Sequence, residues 1–102
     1  MATVKSKRSK ACDISQGVKD IVWKRDNYRC IICGCSEAMP NAHYIPRSKG
    51  GLGIEQNIVT LCMNCHYAFD HTPARKKYAE SIKEYLTELY PNWNENELIY
   101  KK

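Results

Sequence analysis

The sequence predicts a small α+β domain held by a staple rather than by a large core. Three observations carry this expectation. The chain has 102 residues, and a domain of that size has little apolar surface to bury. Its six cysteines include two Cys-x-x-Cys pairs, Cys30/Cys33 and Cys62/Cys65. Around and between these pairs, a strand-like stretch is flanked by segments of helical period.

The first ten residues, Met-Ala-Thr-Val-Lys-Ser-Lys-Arg-Ser-Lys, are basic and contain no apolar run. Residues 1–13 therefore read as a flexible basic tail, with Lys5, Lys7, Arg8 and Lys10 able to lie on phosphates. A signal peptide needs an apolar stretch here, and no run is long enough to span a bilayer. A cytoplasmic, reducing setting with no membrane partner is expected. The net charge of +5 suits a polyanionic partner, but charge alone is only an electrostatic footprint.

The domain proper is expected over 14–91. Ser15 can cap a first helix in which Val18, Ile21 and Val22 share a face, and Asp26-Asn27 ends it. Cys30-Ile-Ile-Cys33-Gly34 forms a knuckle whose glycine allows the bend. Residues 41–46 read as a short strand ended by Pro46. A loop over 47–56 follows, rich in glycine at Gly50, Gly51 and Gly53. Asn57 to Cys62 re-enters the core, and the second knuckle opens a short helix carrying His66 and Asp70. A longer amphipathic helix runs over 73–90, with Tyr78, Ile82, Tyr85, Leu86 and Leu89 as its apolar stripe. Pro91 stops it. Residues 92–102 read as a polar extension that wraps the core weakly.

Paired Cys-x-x-Cys turns in a reducing compartment favour metal over disulfide. Cys30, Cys33, Cys62 and Cys65 offer four thiolates, the set that structural zinc takes in tetrahedral geometry. Such a site has no open position for chemistry. Cys12 and Cys35 read as ordinary thiols.

The insert between the knuckles carries a second pattern. The two Cys-x-x-Cys pairs, Ala-His-Tyr-Ile-Pro-Arg-Ser-Lys-Gly-Gly from Ala42, Asn-Ile-Val-Thr-Leu-Cys from Asn57, and the Cys65-His66 step occur in one order. On these elements residues 18–72 resemble the HNH endonuclease family. Similar small members are encoded in phage genomes, some beside DNA-packaging terminases. The resemblance implies a ββα-metal (His-Me finger) core and hydrolysis of DNA phosphodiester bonds. It implies two metals, structural zinc and a catalytic divalent ion such as magnesium, manganese or nickel. DNA and a phage terminase or other packaging protein would be the partners, in a bacterial or phage-infected cell.

The resemblance also assigns roles. His43 matches the general base, Asn57 the asparagine that pins the loop, and His66 a ligand of the catalytic metal. A second helical ligand is expected one turn on. Position i+4 returns to the same face and i+5 overshoots, which selects Asp70 over His71. Arg47, Lys49, Lys24 and Arg25 flank the site in sequence and are candidate phosphate contacts. One position departs from the family. The residue before the base is usually Asp or His and binds the metal, but here it is Ala42. On sequence grounds Ala42→Asp should restore that ligand and tighten metal binding. The departure also keeps a second reading open, a non-catalytic zinc-stapled module that binds DNA or protein.

Overall fold

The computed structural model describes residues 6–101; Lys5 of the expected tail lies outside them. The element order is α1 (Lys7–Cys12), α2 (Gln16–Arg25), β1 (Ala38–His43), β2 (Ile58–Cys62), α3 (Met63–His71) and α4 (Arg75–Leu89). Two 3-10 turns, Arg47–Lys49 and Glu95–Leu98, complete it. The fold is small α+β, with a two-stranded antiparallel sheet between helices. No helix among the described residues is long and apolar enough to cross a membrane.

Local chemistry explains most element ends. The Ser15 hydroxyl accepts from Val18 N–H and starts α2, while Asp26 closes it. Asn27 and Tyr28 then take left-handed backbone angles and turn the chain toward the first knuckle. Cys62 starts α3, its sulfur accepting from Cys65 N–H. Thr72 and Pro73 separate α3 from α4.

β1 is displaced from the expected 41–46. It begins at Ala38, which pairs with Cys62, and ends at His43, which pairs with Ile58. The pairing ends because Asn57 takes over: its carbonyl accepts from Tyr44 N–H and its side-chain Oδ1 from Ile45 N–H, each at 2.8 Å. The register shifts between Met39 and Ala42, a bulge on the approach to His43. Alternation survives it. Ala38, Pro40 and Ala42 face inward, and Met39, Asn41 and His43 face outward.

Every residue of β2 is buried. Val59 and Leu61 pack with Ala38 and Ala42 of β1, Phe69 of α3, and Ile82 and Leu86 of α4. The α4 stripe is thus packing, with Leu89 left exposed at its end. Three of the four knuckle cysteines, Cys30, Cys62 and Cys65, belong to the same core, and Cys33 is exposed.

Asp26 is buried beneath this sheet. Its carboxylate accepts from Thr60 N–H, the Tyr85 hydroxyl and Arg25. Arg25 also donates to the carbonyls of Glu55 at 2.7 Å and Ile58 at 2.8 Å. A buried charge persists only when paired this fully.

The terminal segments differ from expectation. Residues 6–13 are not simply a tail: α1 is helical, and Cys12 is buried. Ala11 carbonyl accepts from Gly53 N–H, and Arg8 donates to the carbonyls of Arg47 and Ser48. A side chain at Gly53 would collide with Asp13 carbonyl, so glycine is what admits this close approach. Residues 92–101 are equally integral. Leu52 N–H donates to Leu98, Tyr100 N–H to Gly50, and Gly51 bridges Ile99. Backbone groups of the loop lack strand partners of their own, and the two termini supply them.

Candidate functional site

The first knuckle supplies Cys30 and Cys33, and the second supplies Cys62 and Cys65. Their four sulfurs lie within 4.8 Å of one another. Sulfurs about 2.3 Å from one tetrahedral zinc stand about 3.8 Å apart, so the cluster fits that ion. Backbone N–H groups of Cys33 and Cys65 point at the sulfurs of Cys30 and Cys62. Burial and the neighbouring sulfurs push the Cys65 thiol well above its ordinary range. Burial also raises Cys30, but N–H donors from Cys33, Cys62 and Ile32 outweigh it and bring that thiol down to about 7. Four crowded thiols resist joint ionisation unless a cation is present, and thiolate binding to a metal removes the conflict. Cys35 is exposed and falls outside the cluster.

Separately from the cysteine cluster, a cleft of about 520 Å³ gathers His43, Asn41, Arg47, Lys49, His66, Asp70, His71 and Arg75. His43 stands at the end of β1. Its Nε2 lies 2.9 Å from the carbonyl of Cys12. A carbonyl only accepts, so Nε2 carries the proton and Nδ1 keeps the lone pair. Burial holds the imidazole below its ordinary pKa; the Cys12 carbonyl opposes this, and the Arg47 charge adds to it. The ring is therefore neutral at pH 7.

Helix α3 puts His66 and Asp70 on one face, as four-residue spacing requires. His66 Nε2 and Asp70 Oδ2 are 2.9 Å apart. Ligand atoms about 2.1 Å from an octahedral ion stand about 3.0 Å apart at adjacent positions. The two side chains form a direct i,i+4 ion pair, and the same spacing matches two adjacent corners of a divalent cation's shell.

Asn57 is fully buried and lies behind the cleft. Its amide donates to Leu52 carbonyl at 2.9 Å and Ile45 carbonyl at 3.2 Å. With its two bonds to residues 44 and 45, it ties both ends of the loop that follows His43.

The four cationic candidates separate. Arg47 and Lys49 line the cleft, although Arg47 also donates to Cys12 carbonyl and Asp13. Arg25 does not line the cleft, and Asp26 and two carbonyls occupy its guanidinium. Lys24 is exposed on α2 and does not line the cleft.

Two cleft residues were not singled out from sequence. Asn41 is two positions before His43, and strand alternation alone puts both on one face, so that signal was present. Arg75 had no such signal. It comes from the first turn of α4, where its guanidinium donates to Phe69 carbonyl and stacks 4.4 Å from the Phe69 ring centroid. One nitrogen lies 3.6 Å from Asp70.

Ala42 corrects an expectation. It is fully buried among Val59, Leu61 and Phe69, so its side chain points away from the cleft. Ala42→Asp would put a carboxylate into the apolar core, where an unpaired charge costs several kcal/mol. We expect lower denaturant resistance and no gain in metal affinity, read by chemical unfolding and metal titration.

With this geometry in hand, comparison with known proteins assigns the central segment. Residues 30–72 match the HNH endonuclease family. The matched segment contains both knuckles, His43, Asn57, His66 and Asp70, and leaves α1, α2 and α4 outside it. Over 42 residues the chain is 40% identical to Anaredoxin from Nostoc sp. strain PCC 7120, covering 40% of this chain and 55% of that protein. The chain thus spans about half the length of this curated relative. No solved structure matches it.

Proposed function

We propose that the chain is a metal-dependent DNA nuclease that hydrolyses phosphodiester bonds at the His43 cleft. The observation that carries this reading is the shared cleft itself. It holds a neutral histidine with a free Nδ1, a His66–Asp70 pair with ligand spacing, and the cations Arg47, Lys49 and Arg75. The HNH match over 30–72 supports it.

Each side chain then has a definable task. Arg47, Lys49 and Arg75 hold phosphate oxygens of the strand against the cleft. His43 Nδ1 accepts the proton of the water that attacks phosphorus. The Cys12 carbonyl fixes the ring and its tautomer. Asn57 acts through the loop, as a positioning residue. His66 and Asp70 would hold a divalent metal, and Asn41 offers a further oxygen on the cleft side where Ala42 does not. That metal, when bound, supplies charge stabilisation at the phosphate and the leaving 3′ oxygen. The ends expected are 5′-phosphate and 3′-hydroxyl. Imidazole ligation favours manganese or nickel over magnesium in binding strength.

The test is nicking of supercoiled plasmid with magnesium, manganese or nickel. The non-catalytic alternative draws on buried Ala42, which leaves two of the family's ligand positions filled. DNA binding that survives EDTA, with no cleavage under any of the three ions, would favour it.

The proposal also sets a pH dependence. Burial lowers the His43 pKa below 6.5, so the base stays deprotonated into mildly acidic solution. The acidic limb of the cleavage rate should therefore have its midpoint below pH 6.5. The same shift acts on stability. An unfolded histidine binds its proton near 6.5 while the folded one does not, so this contribution is present above 6.5 and fades as pH falls toward the lower folded value. A rate profile with its midpoint above 6.5 would contradict the assignment.

A further inference from the structure

We propose that the outer face of α3 is a base-stacking surface, and that the preferred substrate is DNA with an unpaired base beside the cleaved phosphate. The inference rests on the nuclease reading and names its substrate class. Met63, Tyr67 and His71 recur every fourth residue along α3 and so form one stripe. Met63 is 85% exposed and Tyr67 62% exposed. The inward face of the same helix, with Cys65 and Phe69, already packs the core. Core packing therefore does not account for the stripe.

Its position accounts for it better. Two of the three stripe residues are adjacent in sequence to a proposed catalytic-metal ligand, Tyr67 to His66 and His71 to Asp70, about 100° round the helix. A shallow groove of about 220 Å³ is lined by Met63, Tyr67, His71 and the His66–Asp70 pair. His66, Asp70 and His71 also line the cleft, so groove and cleft share a wall. The rings of Tyr67 and His71 lie 5.0 Å apart at 45° and present an aromatic ledge. The cleft rim is cationic through Arg47, Lys49 and Arg75. A strand drawn by its phosphates to that rim brings its bases against the ledge. Aromatic rings and a flexible thioether accept any base face, whereas a fully paired duplex keeps its bases stacked inside. The surface thus recognises an unpaired state, not a sequence.

The experiment uses the full zinc-loaded chain carrying His43→Ala, so that binding is read without cleavage. Fluorescence anisotropy compares a labelled single-stranded oligonucleotide with its duplex. Single strands should bind about tenfold tighter. Tyr67→Ala should remove most of that difference, Tyr67→Phe should retain it, and the salt dependence of binding should stay the same because phosphate contacts are untouched. With His43 intact, cleavage at a mismatch or single-stranded gap should exceed cleavage of perfect duplex, and Tyr67→Ala should level the two. Equal affinity for both forms, or a Tyr67→Ala variant that keeps the preference, overturns the proposal. So does a Tyr67→Ala variant that only converts a dimer to monomer, since the stripe would then be a self-association face. A single-strand preference lost in Tyr67→Ala, together with wild type that cleaves no DNA, supports the stacking surface and sinks the nuclease reading alone.

Discussion

Replacing Cys62 with serine is expected to unfold the whole domain. Cys62 does three things at once. It pairs with Ala38 at the end of the sheet, starts α3 through its sulfur, and contributes to the four-sulfur cluster. The described residues have no disulfide that could substitute. Structural zinc contributes on the order of 10 kcal/mol to folding in small domains. A domain of this size is stable by only about 5–15 kcal/mol in total, so losing one ligand removes a contribution comparable to the whole. Circular dichroism should show loss of helix, thermal unfolding should lose its cooperative transition, and one zinc per chain should fall to none. Cys35→Ser is the matched control and should leave all three measurements unchanged, because that sulfur lies outside the cluster. A folded, cooperative Cys62→Ser protein would show that the core, not the metal, holds the fold.

His43→Ala is expected to reduce plasmid nicking by about 100- to 10,000-fold, the usual contribution of a positioned base. The fold should survive the change. His43 is partly exposed at a strand end, and the Cys12 carbonyl that it contacts keeps Arg47 as a donor at 2.8 Å. No buried acceptor is orphaned, so the unfolding midpoint should move little. Separation of the two readouts is what makes the test decisive. Equal nicking by wild type and His43→Ala would remove the residue from the chemistry. Lost nicking with a large loss of stability would instead assign it a structural task.

The parts of this site that were legible in the sequence are those set by short-range geometry. Two knuckles of Cys-x-x-Cys spacing bring sulfurs together locally, and His66 and Asp70 meet because a helix returns to the same face after four residues. Ser15 begins α2 for an equally local reason. Arg25 shows where such reading stops. Next to Lys24 it looks like surface charge, yet the residue that follows it, Asp26, is buried and needs a cation. The expected tail failed in the same way. Its composition is polar, but a single carbonyl in it, that of Cys12, reaches His43 across the fold.

By itself, the sequence determined the α+β class, the four-cysteine cluster and the pairing on α3, because each depends on residues close in the chain or on a fixed helical or strand period. The tertiary structure alone decided the rest. It brought Arg75 from α4 to Asp70, set Arg25 against the carbonyls of Glu55 and Ile58, and closed residues 6–13 and 92–101 over the loop after His43. A side chain's task at these positions depends on which distant group packing delivers to it. A carboxylate, a carbonyl or an apolar wall gives the same residue a different role.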